Sequence, residues 1–181
     1  MYALADRIAG TIARLFAYLG GLVLIALVVM ACTSIIGRWL IDWGLNQIEG
    51  DFEMMELGVG FAIFAFLPWT QYSMAHARVD LLEPLYGRRL SLVLDLLAQL
   101  LMAAAAILIA WRLWLGMLDK QQYGETSMIL QLPVWQAYAA GFAGACAFAI
   151  VALFTVWRSL RAFRAPLAEP TSEPASEPGR A

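Results

Sequence analysis

Four long apolar stretches, at 15–37, 57–75, 90–111 and 133–157, leave this chain few ways to fold. A helix rises about 1.5 Å per residue, so each stretch is long enough to cross a hydrocarbon core of roughly 30 Å. Only one charged residue, Asp95 in the third, falls inside any of them. With 62% hydrophobic and 14% charged residues, the 181-residue chain has more apolar surface than a water-soluble domain of its size can bury. The fold class expected is an all-α integral membrane protein with four transmembrane helices and short interfacial helices.

Charge placement then sets the orientation, because basic residues accumulate on the cytoplasmic side of a membrane protein. Arg7, Arg14, Arg78, Arg88, Arg89, Arg158, Arg161, Arg164 and Arg180 lie in the two terminal segments and the middle connection. Only Arg38, Arg112 and Lys120 lie in the other two connections. Both termini are therefore expected in the cytoplasm, with the first and third connections outside. The net charge of −2 carries less information than this asymmetry.

The organisation that follows has three parts: an interfacial segment over 1–14, a transmembrane domain over 15–164 and a tail over 165–181. Leu4, Ile8, Ile12 and Leu15 recur at helical spacing, which predicts a short interfacial helix running into the first span. The sequence Val29-Met30-Ala31-Cys32 loosely resembles a lipoprotein cleavage site, but the apolar run continues to Gly37, so the segment is expected to stay as a helix. Trp39 and Trp43 read as belt residues at the outer boundary. Asp51 is the expected N-cap of the second span, and Pro68 is expected to bend it. Asp80 is placed to cap a short helix ending at Gly87, and Pro133 opens the fourth span. Ala137, Gly141 and Ala145 give that span a ridge of small residues. The repeats of Glu-Pro beyond Arg164 lack the apolar content for a core, which predicts a disordered cytoplasmic tail.

The candidate chemistry is sparse. His76 is the sole histidine, so a bis-histidine haem or a histidine-rich metal centre lacks ligands. No nucleophile elbow, phosphate loop or zinc-protease pattern occurs, and the basic residues lack the aromatic interleaving of a nucleic-acid surface. An enzyme, a cofactor, a bound metal and a nucleic-acid partner are accordingly not expected; membrane lipids are. Cys32 and Cys146 fall at different depths and read as separate thiols. Ser91, Asp95 and Gln99 form a polar stripe at steps of four in the third span, which should face protein and not lipid. Glu53 and Glu56, at the start of the second span, form either a paired site or a favourable first turn. His76 reads as an interfacial imidazole within reach of Asp80.

The order of three motifs is informative: GDFEMMELGVGFAIFAFLPW entering the second span, HARVDLL after it, and ETSMILQLPVWQAY opening the fourth. Together they resemble the small membrane subunit, the DctQ type of small permease, of tripartite ATP-independent periplasmic (TRAP) transporters. The resemblance runs over about 15–158. It places the family's acidic-leucine element on Glu53, Glu56 and Leu57, its histidine-to-aspartate element on His76, Val79 and Asp80, and its proline-aromatic element on Pro133, Trp135 and Tyr138. Where many members have a tryptophan before the acidic element, this chain has Phe52.

The resemblance implies a subunit of the bacterial inner membrane that binds a large multi-span membrane subunit and works with a periplasmic solute-binding protein. It also implies sodium-coupled uptake of organic carboxylates, handled mainly by the large subunit. The small subunit then acts as scaffold, with Glu53, Glu56, His76, Asp80, Asp95, Gln99, Pro133 and Trp135 as structural or subunit-contact candidates. The competing reading is a self-sufficient four-helix transporter that uses Asp95 as its ion-coupling carboxylate.

Overall fold

The computed structural model describes residues 2–41, 46–73 and 83–164. They form four helices: α1 (Tyr2–Trp39), α2 (Asp51–Tyr72), α3 (Glu83–Tyr123) and α4 (Val134–Arg164). Each is long and apolar enough to cross a membrane. Among the described residues the extended structure amounts to one isolated bridge, between Thr126 and Pro133.

The helices differ in length. α2 has 22 residues, about 33 Å of helix, which little exceeds a hydrocarbon core. α1 has 38 residues and α3 has 41, so each is far longer than the core is thick. The short helix expected before the first span and the span itself are one continuous α1, with Ala9 and Ala13 buried. The expectation of a short helix ending at Gly87 is corrected: α3 begins at Glu83 and runs through that glycine. A lone glycine in a helix costs only about 1 kcal/mol against alanine, and the long apolar helix that follows outweighs it. Pro84 fits because a proline in a first turn lacks only an N–H that would go unpaired anyway. Gly50, not Asp51, occupies the N-cap of α2, and Pro133 stands directly before the first residue of α4.

α4 is the hub. It packs against each of the other three helices, whereas α2 and α3, successive in the chain, make no close backbone contact among the described residues. Half of its apolar window (50%) is buried, against 11%, 17% and 11% for those of α1, α2 and α3. The spatial order is therefore α1, α2, α4, α3, two hairpins joined through α2 and α4.

Small residues make the junctions possible, since lipid offers helices no hydrophobic drive to associate and close contact must supply it. Pro68 lies within α2 and has no N–H for the carbonyl of Phe64, four residues earlier. Gly144 of α4 sits against that stretch of backbone so closely that a Cβ would lie 2.9 Å from the Phe64 carbonyl carbon, its oxygen and its Cβ. Ala145 of the predicted ridge is fully buried beside it. Farther along, Ala103 and Ala106 of α3 meet Phe148 and Ala152 of α4, and Leu67 of α2 packs on the same cluster.

Replacing Gly144 with valine should therefore destabilise the bundle by roughly 1–3 kcal/mol, since backbone cannot yield as a side-chain tip can. Gly21→Ala, where an added Cβ meets nothing within 4 Å, should not lower stability. Thermal melting of the two purified variants in detergent checks both outcomes.

Candidate functional site

The start of α1 and the end of α4 share one end of the bundle. There the Tyr72 hydroxyl donates to Asp6 Oδ1 at 3.2 Å, and Arg158 lies nearby. The Arg14 guanidinium stands 5.9 Å from the centroid of the Trp69 ring, within cation–π range. This terminal end is opposite a loop end, formed by the α1–α2 and α3–α4 connections.

At the loop end the site is built on the first turn of α2. Gly50 has φ 75°, the left-handed region that suits glycine, and the Leu130 side chain fills the space where a Cβ would be, 2.4 Å from Leu130 Cγ. Asp51, expected as the cap, is instead the first helical residue. Its carboxylate accepts from the Ser34 hydroxyl of α1 and, at 2.7 Å, from the Phe52 N–H. Ser34 is buried, so this bond fixes the far end of α1 to the start of α2.

Glu53 reaches the other way. Its Oε2 accepts from the Ser127 hydroxyl at 2.7 Å and the Leu130 N–H at 3.0 Å, and its Oε1 accepts from the Ile129 N–H at 2.7 Å. Three donors on one carboxylate are charge-assisted bonds, roughly twice as strong as neutral ones. They hold a loop that is already closed on itself. The Ser127 N–H donates to Leu132 O at 2.9 Å and the Val134 N–H to Glu125 O at 3.0 Å, with Gly124 and Gln131 at positive φ. The clasp leaves Met128 at the loop's tip 93% exposed.

A second polar cluster lies toward the terminal end, inside the apolar part of the bundle. Gln71 of α2 is buried; its Nε2 donates to Gln99 Oε1 of α3 at 2.7 Å and to Thr155 Oγ1 of α4 at 2.8 Å. The Thr155 hydroxyl in turn donates to Ala152 O at 2.8 Å. One amide thus links three helices, two of which have no close backbone contact with each other among the described residues.

The candidate residues separate accordingly. Glu53 and Gln99 are bonded across elements as above. Glu56 is exposed on α2, whereas Glu53 is bonded to the α3–α4 loop. Asp95 is half-buried one turn from Gln99 and engaged in an interaction of its own. Pro133 ends the clasped loop, and Trp135 is the half-buried second residue of α4. His76 and Asp80 lie outside the described residues. Sequence reasoning missed Gln71, Thr155, Ser127 and Ser34. The available signal was a neutral amide and a hydroxyl deep in apolar runs, where a polar side chain must find a partner.

These elements define a class: an all-helical membrane protein of four spans whose polar groups at both ends tie helix to helix and loop to helix. A family model described as tripartite ATP-independent periplasmic transporters, DctQ component, matches residues 27–162, and the chain belongs to that family. The family is a transporter component and not an enzyme family. No curated protein and no solved structure matches the chain.

Glu53→Ala should release the loop while leaving the helices formed. The amides of Ile129 and Leu130 are expected to exchange with deuterium at least severalfold faster, with α4 protection unchanged. Gln71→Leu should cost about 1–3 kcal/mol by stranding buried partners on α3 and α4, read as a lower detergent melting temperature.

Proposed function

We propose that this chain is the scaffolding small permease of its transporter, seated in the bacterial inner membrane with the terminal end in the cytoplasm and the loop end in the periplasm. It braces the large membrane subunit, and its clasped α3–α4 loop helps receive the solute-binding protein during sodium-coupled uptake of organic carboxylates. The observation that carries the proposal is how the polar groups are used. Asp51, Glu53, Gln71, Gln99 and Thr155 are committed to bonds that hold the bundle together. A solute pathway instead calls for convergent polar groups at broken helices. The loop fits a receiving role because it is fixed by Glu53 and presents Met128 and Ile129 outward.

The test is expression of the chain alone and with the large subunit, each reconstituted into vesicles with the binding protein. Uptake driven by a sodium gradient is expected only when both membrane subunits are present. Transport by the purified chain on its own, abolished by Asp95→Asn, overturns the scaffold reading in favour of a self-sufficient transporter.

A further inference from the structure

The exposed sides of α1 and α3 are apolar, and α1 has an open groove around Gly21 lined by Tyr18, Leu22 and Ile25. Residues 15–37 of α1 and 96–111 of α3 include no charged side chain, and their exposed positions are mostly aliphatic, as at Leu22, Ile25, Leu101 and Leu108, with Tyr18 and Trp111 as exposed aromatics. α2 is different. Phe52, Glu56, Val59 and Ile63 recur at steps of four, three and four and form a single stripe. Phe52, Val59 and Ile63 are 74%, 40% and 57% exposed, and Glu56 is exposed among them.

Glu56 has no hydrogen bond or ion pair among the described residues, whereas Glu53, one turn earlier, spends its carboxylate on the loop. Glu56 stands directly before the apolar run that starts at Leu57. α2 is barely longer than the hydrocarbon core is thick, and Glu56 stands about 8 Å along it from Asp51, at the edge of the apolar layer. A carboxylate there is disfavoured against lipid tails and is stabilised by a cationic or donor group.

One turn deeper on the same side is Gly60, where an added Cβ would meet nothing within 4 Å. A glycine in mid-helix costs about 1 kcal/mol against alanine, and within this chain no neighbour makes use of the space. Gly21 on α1 is equally open, but no charged side chain lies on its face within a turn. On α2 a carboxylate, an apolar stripe and a notch that admits a close-approaching backbone coincide.

We propose that this stripe is where a transmembrane helix of the large subunit packs, its backbone over Gly60, with an arginine, lysine or other hydrogen-bond donor of that helix meeting Glu56 at the loop end. The proposal rests on the small-permease reading. A helix fits the notch better than a lipid does, because a headgroup that reaches Glu56 cannot also place rigid backbone one turn deeper.

The experiment co-expresses the tagged chain with the large membrane subunit and measures how much of the latter co-purifies in mild detergent. Glu56→Lys and Gly60→Leu are each expected to lower recovery about tenfold or more, equivalent to roughly 1.4 kcal/mol of binding, whereas Leu22→Ala leaves it unchanged. A photoreactive benzoylphenylalanine at Val59 in the otherwise native chain should give an adduct with the large subunit. That adduct supports the contact even if a variant proves unstable. Wild-type recovery by both α2 variants, or a Val59 adduct with lipid alone while the wild-type complex forms, overturns this surface and leaves the small-permease reading standing. Failure of the wild-type chain to retain the large subunit at all overturns that reading and this proposal together.

Discussion

The contact of Gly144 with the backbone of Phe64 is the constraint on which the arrangement depends. In a bilayer, apolar side chains are as well solvated by lipid as by one another, so helices associate where their surfaces fit closely. A side chain at 144 would hold α2 away from α4. α2 would then lose its place beside the hub, and α1, which packs mainly on α2, would lose its place with it. The order α1, α2, α4, α3 is thus a consequence of where small residues fall on α4, more than of the order in which the spans occur in the chain.

Polar groups supply what close packing leaves undetermined. Packing of smooth apolar surfaces tolerates sliding and rotation, whereas hydrogen bonds in a low-dielectric setting have one good geometry. Asp51 sets α1 against α2, Glu53 sets the α3–α4 loop against α2, and Gln71 sets α2, α3 and α4 against one another. The ties occupy both ends of the bundle, so the helices are registered at two levels and not about a single pivot.

The four spans were legible in the sequence because hydrocarbon thickness converts directly into a run of apolar residues. Their limits were less so: a connection such as 112–123 looks like loop when judged by polarity, yet it continues α3 because α4 runs alongside and Trp114 packs on Phe142. Gly87 misled for a similar reason, a local helix breaker outweighed by a long helix. Glu53 was recognisable as important from its place in the acidic element, but its partners lie more than seventy residues away and could not be read from spacing. Gln99 was picked out by its stripe with Asp95, whereas Gln71 had no such periodic company and was passed over. The match over residues 27–162 agrees with the family resemblance carried by motif order.

The length of α3 has a mechanical side. Gln99 meets Gln71 almost at the end of α2, yet α3 starts at Glu83, so about 24 Å of helix continues beyond that level. The arm is rooted on α4 and, among the described residues, is tied to α2 through the Gln71 amide. Geometry turns such an arm into an amplifier: a 10° tilt at its root sweeps the far tip through about 4 Å over that length. Small adjustments among the α4 contacts therefore become atomic-scale displacements at the far tip of α3, at the end where α1 starts and α4 ends.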